Sequence, residues 1–159
     1  MEKNLITGQA LSEQQRFLTE LAALNTVSAR FGLTLSAQGM EEIRLSRKRA
    51  LLDNGRIELG SSAVLAIAEG FCDSPYLMQG EYEATLIELV DAFYYFKNAC
   101  AEQMTDSELI EAMRERYDTY GGTVEAVTGT TLEALCRARR LGEEYDEGKQ
   151  QEDDEDDDD

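Results

Sequence analysis

A chain of 159 residues, 42% of them hydrophobic, has the length and composition of one globular domain. No apolar run approaches the roughly 20 residues that a membrane-spanning helix needs, and no apolar signal-peptide core follows the N-terminus, so the sequence predicts neither an anchor nor export. With 33 acids, 15 bases and no histidine, the chain cannot form Ser-His or Cys-His dyads or histidine-based zinc sites.

In the first half of the chain, hydroxyl residues mark predicted helix starts, and glycine or asparagine marks predicted helix ends. Ser12 and Gln15 match a capping box, in which a hydroxyl accepts from an amide of the first turn and the later side chain reaches back. Simple caps and stops are predicted at Ser36, Ser61 or Ser62, Gly32, Asn54 and Gly55. Residues 33–35 and 56–59 alternate apolar and polar side chains, which predicts a minimal two-stranded ribbon.

The clearest predicted helix runs from residue 81 to residue 102 and follows a second start signal. Ser74 precedes Pro75, and proline is tolerated at the first helical position, so a helix start is predicted there. From residue 81, apolar side chains recur at alternating steps of four and three, and the stripe is wide enough to predict a central helix. The stripe comprises Tyr82, Leu86, Leu89, Phe93, Phe96 and Cys100, and the polar edge comprises Glu88, Asp91, Tyr95, Asn98 and Glu102.

The last third of the chain has two more capping boxes, Thr105 with Glu108 and Thr130 with Glu133. Further stops are predicted at Gly121, Gly122, Gly129 and Gly142, around a short helix over residues 123–128. Together these signals predict an all-α fold: a single-domain bundle of about seven short helices over residues 1–142, packed around the helix at 81–102.

Residues 143–159 differ sharply in composition from the rest. They contain twelve acids, one base and no aliphatic residue, so they cannot bury enough surface to order themselves, and a disordered polyacidic tail is predicted. Residues 1–142 keep 21 acids and 14 bases and are only moderately acidic. Solubility is the favoured interpretation of the tail, and a docking role is the alternative.

Three cysteines, Cys72, Cys100 and Cys136, are odd in number, far apart and set among apolar residues, which indicates reduced thiols in the cytoplasm. A cysteine zinc site would need four thiolates, so no metal or other cofactor is predicted. Cys72 lies at a helix break, where a nucleophile is conceivable. A helix carboxyl end and the neighbouring Asp73 both disfavour a thiolate, so a packed structural cysteine is the preferred interpretation.

One acidic pattern suggests an alternative metal site. Glu83, Glu88 and Asp91 on the central helix, with Glu41 and Glu42 upstream, resemble half of the magnesium site of all-helical nucleotide pyrophosphatases. Leu45 stands where that pattern requires a third upstream acid, and acids one turn apart usually form the solvated face of a helix. A solvated edge is therefore preferred, and no catalytic residue is assigned.

Binding of nucleotides or nucleic acid is not indicated. The glycines do not form a Gly-x-x-x-x-Gly-Lys loop, and their positions fit helix breaks. Two basic clusters occur, but a chain of net charge -18 does not make a convincing polyanion-binding surface. The clusters are Arg44, Arg47, Lys48 and Arg49, and Arg137, Arg139 and Arg140.

Residues 25–35 (NTVSARFGLTL), 71–77 (FCDSPYL) and 93–98 (FYYFKN) resemble a family of small bacterial proteins known as a domain of unknown function. The resemblance implies a bacterial cytoplasmic setting and adds no activity. The sequence thus favours a non-enzymatic protein-interaction or regulatory module that binds another protein or itself. The alternatives are a magnesium-dependent nucleotide hydrolase that uses helix carboxylates, and an acidic decoy for a nucleic-acid-binding protein.

Overall fold

The computed structural model describes residues 2–58 and 60–143, with side chains from residue 12 onward. Within these ranges the chain is all-helical, as predicted. Seven α-helices and one 3-10 turn form in this order: α1 Glu2–Ser28, the turn Ala29–Phe31, α2 Ala37–Asp53, α3 Ser62–Phe71, α4 Gln79–Ala99, α5 Asp106–Thr119, α6 Val124–Val127 and α7 Thr130–Leu141. None of the described helices is long and apolar enough to cross a membrane. The predicted acidic tail lies outside the described residues, apart from Glu143.

Helix α4 is the central helix, as the apolar stripe predicts. Leu86, Leu89, Phe93 and Phe96 are each at most 1% exposed, and α2 packs along α4 over much of its length. The helix ends at Ala99, three residues before the predicted end, because the chain takes left-handed dihedrals at Ala101 and Glu102.

The turn after α4 is stabilised by a lysine that the sequence did not single out. Lys97 is only 8% exposed, and its ammonium donates to the carbonyl of Met104 at 2.7 Å and pairs with Asp106 at 2.7 Å. A buried ammonium needs such partners, so Lys97 joins the end of α4 to the start of α5.

Two of the predicted side-chain caps are confirmed. Ser36 accepts from the amide of Gly39 at 3.0 Å, and Thr105 accepts from the amide of Glu108 at 3.1 Å. The Ser12 box is wrong because α1 runs straight through it, and the Thr130 box is wrong because extended Gly129 takes the N-cap position of α7. Ser61 stands at the N-cap of α3, but its hydroxyl donates to Glu20 instead.

The predicted ribbon is wrong within the described residues, which exclude Leu59. Residues 33–36 have no regular secondary structure, and the backbone groups of Thr34 and Leu35 bond side chains rather than residues 56–58. Asn25 accepts from the amide of Leu35 at 2.7 Å and donates to its carbonyl at 3.0 Å, and Gln79 does the same for Thr34 at 2.7 and 2.9 Å. The side-chain amides of Asn25 and Gln79 thus form the hydrogen bonds that a partner strand would have formed.

The segment around Pro75 connects two helices tightly, as predicted, but it does not start the second one. Helix α4 begins only at Gln79, after Met78 at its N-cap. Ser74 is not a helix cap, because its hydroxyl donates to Asp118 on α5 at 2.8 Å and accepts from the amide of Tyr76 at 3.3 Å.

Candidate functional site

A surface groove of about 570 Å³ opens between the carboxyl end of α2, the middle of α4, helix α6 and the first turn of α7. Four helices meet there because α2 and α7 both pack against α4 and α6 lies beside it. The lining residues are Asp53, Asn54, Glu88, Asp91, Ala92, Tyr95, Phe96, Val124, Thr128 and Glu133. We call this feature the acidic groove.

Among the residues that the structure describes, four acids and no lysine or arginine line the groove. Glu88 and Asp91 come from one exposed edge of α4, whereas Asp53 is the last residue of α2 and Glu133 lies near the start of α7. The carboxyl end of α2 adds the partial negative charge of a helix terminus beside Asp53. The groove therefore concentrates negative charge, and no lysine or arginine among its described lining residues balances it.

Tyr95 forms an aromatic wall of this groove. Its side chain is 51% exposed, and its hydroxyl donates to Glu133 at 3.1 Å. The ring lies edge-on against Phe96, with ring centres 5.0 Å apart. The hydrogen bond to Glu133 raises the pKa of Tyr95, so the phenol stays a neutral donor.

The three carboxylates of the alternative metal site do not lie together in the structure. Glu88 and Asp91 lie together in the acidic groove, but Glu83 is not among its lining residues. Glu83 instead accepts from the amide and the hydroxyl of Ser36, each at 2.8 Å. Gly39 permits this approach, since an added Cβ would lie 2.2 Å from the Glu83 carboxyl carbon.

The upstream acids of that pattern also have partners in α2: Glu41 pairs with Arg44, and Glu42 accepts from Gln38 at 3.4 Å. In the part of the chain that the structure describes, no three acids or cysteines lie close enough together to hold one metal ion.

All three cysteines are buried free thiols. Burial and the neighbouring Asp73 raise the pKa of Cys72, whose sulfur donates to the carbonyl of Glu69 at 3.5 Å. Burial also raises the pKa of Cys136 to about 12, with the nearby Cys100 adding to the effect. These surroundings disfavour a thiolate and suit packed cysteines.

The sequence indicated that some of the groove residues lie on one side of α4. Glu88, Asp91 and Tyr95 belong to the predicted polar edge of α4, so their helical spacing already placed them on one side. Asp53 and Glu133 carried no such signal, because only the packing of α2 and α7 against α4 brings them to that edge.

One family model matches residues 20–145, a span that contains every residue of the acidic groove, and its description is a family of unknown function, DUF6323. No curated protein and no solved structure matches the chain.

Proposed function

We propose that this chain, which belongs to the DUF6323 family of unknown function, is a non-enzymatic interaction module that binds a basic segment of a partner protein in its acidic groove. The observation that carries the proposal is the convergence of four carboxylates from three helices on one concavity, which no base in the described part of the chain lines. Charge complementarity of this kind selects partners and speeds their encounter.

The chemistry of the groove suits lysine or arginine side chains. Carboxylates at its rim can accept from an ammonium or a guanidinium, and the exposed ring of Tyr95 offers a face for a cation–π contact. A partner that itself binds nucleic acid would make the protein an acidic decoy. We further infer a cytoplasmic setting in bacteria, where a reducing environment suits the free thiols Cys72, Cys100 and Cys136.

The test is the binding of a fluorescent arginine-glycine peptide to the full chain, measured by anisotropy at about 100 mM NaCl, where surface charges are partly screened. The groove variant Glu88→Gln/Asp91→Asn removes two lining charges. The control variant Glu42→Gln/Glu111→Gln removes two exposed charges that do not line the groove. We expect the groove variant to weaken binding about 3- to 10-fold relative to the control variant.

Equal weakening by the two variants would mean that the peptide responds to overall charge, and the proposed site would be wrong. The hydrolase alternative has its own assay on the same proteins. Turnover of nucleoside triphosphates with magnesium, abolished by Glu88→Gln and by Asp91→Asn, would overturn the non-enzymatic proposal.

A further inference from the structure

Helix α7 presents arginines to solvent in its last two turns, beyond most of its core contacts. Leu132, Cys136 and Ala138 are buried against the bundle, whereas Arg137 and Arg140 are exposed. Residues three apart on a helix are neighbours, so these two guanidinium groups form one strip. Within residues 2–58 and 60–143 neither forms an ion pair, and the adjacent Arg139 approaches Glu108 only at 3.9 Å. We call Arg137 and Arg140 the arginine strip.

The end of α7 turns the chain off the helix axis next to this strip. Gly142 is left-handed with φ 72°, its amide bonds the carbonyl of Arg139 at 3.3 Å, and the amide of Glu143 bonds the carbonyl of Ala138 at 2.8 Å. This pair of bonds is a Schellman motif, which ends a helix and redirects the backbone. The chain therefore continues from a point beside the arginines.

The residues that follow have the opposite charge. Residues 144–159 contain eleven acids and one lysine, and residues 152–159 are eight consecutive acids. Position 152 lies nine residue steps after Glu143, and this length of chain can span up to about 30 Å. Helix α7, with 12 residues, is about 18 Å long. The eight acids can thus reach the whole strip without moving the bundle.

We propose that residues 152–159 dock on the arginine strip of their own chain and so exclude acidic partners from it. Because strip and segment belong to one chain, the contact forms at a high effective concentration and needs little affinity per ion pair. Exposed ion pairs are individually weak and screened by salt, so the contact is a salt-sensitive cover rather than a fixed part of the fold. The inference is independent of the acidic groove and does not rest on the proposed function.

Paramagnetic broadening in the full chain tests this contact. A nitroxide on Gln151→Cys lies beside the eight acids and leaves all of their charges in place. We expect it to broaden the backbone amide signals of residues 137–141 at about 20 mM NaCl, and the broadening to fall at about 500 mM NaCl to the level that the tether alone produces. Arg137→Gln/Arg140→Gln should remove at least half of the broadening, whereas the control variant Lys48→Gln/Arg49→Gln should keep it.

Two controls make the result decisive. The chain without Gln151→Cys, treated with the same reagent, reports any label on Cys72, Cys100 or Cys136. A mixture of spin-labelled chain and isotope-labelled chain reports contacts between molecules. Broadening that is absent, uniform or centred on Lys48 and Arg49 would overturn the proposal. Equal broadening in the mixture would assign the strip to a second copy and overturn it as well.

Discussion

Arg114 joins three parts of the chain beside Pro75. Its guanidinium donates to the carbonyl of Gly70 at 2.7 Å and pairs with Asp73 and Asp118, each at 2.6 Å. The second oxygen of Asp118 accepts from the buried hydroxyl of Ser74. The hydrogen bond from Arg114 lowers the pKa of Asp73, so this carboxylate stays charged and keeps its partner well below neutral pH. The connection between α3 and α4 is therefore anchored to α5 by one continuous network.

Within this network, Ser74→Ala should lower the free energy of unfolding by about 1 to 2 kcal/mol, because Asp118 loses a buried donor. The reason differs from helix capping, which would act on α4 alone. Urea unfolding of Ser74→Ala, Asp118→Ala and the double variant should give a coupling energy of about 1 kcal/mol. Thr119→Ala is the control, since its hydroxyl bonds Glu115 at an exposed site. Additive effects of Ser74→Ala and Asp118→Ala would show that the hydrogen bond contributes nothing.

At the scale of elements, residues 34–36 connect α1 and α2 without regular secondary structure, and side chains bond their backbone. Asn25 and Gln79 each bond both backbone groups of one residue, and Glu83 accepts from the amide of Ser36. The segment thereby fixes α1, α2 and α4 relative to one another. The apolar alternation indicated a paired strand here, but it could not indicate that side chains from two helices would bond this backbone instead.

The side-chain amides of Asn25 and Gln79, which bond this segment, should contribute differently to the free energy of unfolding. Asn25 is partly buried where it bonds Leu35. The variant Asn25→Ala therefore leaves the amide and carbonyl of Leu35 without a hydrogen-bond partner and should lower the free energy of unfolding by about 2 to 3 kcal/mol. Gln79 bonds Thr34 at an exposed site where water can replace it, so Gln79→Ala should cost less than about 1 kcal/mol. Urea unfolding measures both. A larger loss for Gln79→Ala would contradict this assignment of burial.

Local signals in the sequence located elements better than contacts between them. The stripe of α4 and the caps at Ser36 and Thr105 depend on neighbours within one helix, and each is confirmed. The sequence pattern predicts a helix start at Ser74 and, as an alternative, a metal ligand at Glu83, yet both side chains bond residues more than 40 positions away. Helix spacing cannot show such partners, because they depend on how the helices pack.

At the scale of the whole molecule, acids outnumber bases by 18, so the chain carries a large excess of negative charge. Repulsion among the acids opposes the compact state at neutral pH. The acidic groove concentrates this effect, since Asp53, Glu88, Asp91 and Glu133 line one concavity. Charged groups that lower the stability of a fold are expected where a function needs them, which agrees with a groove that binds basic side chains.

The cost of the groove to stability can be measured directly. Glu88→Gln/Asp91→Asn should raise the melting temperature by about 1 to 3 °C at low ionic strength, because it relieves repulsion while keeping side-chain size. The gain should shrink as NaCl is raised to about 500 mM, where the Debye length falls well below 10 Å. Glu42→Gln/Glu111→Gln changes the net charge equally outside the groove and should raise the melting temperature less. If the control variant gains as much as the groove variant, repulsion is spread evenly over the surface, and the groove is not a site of concentrated charge.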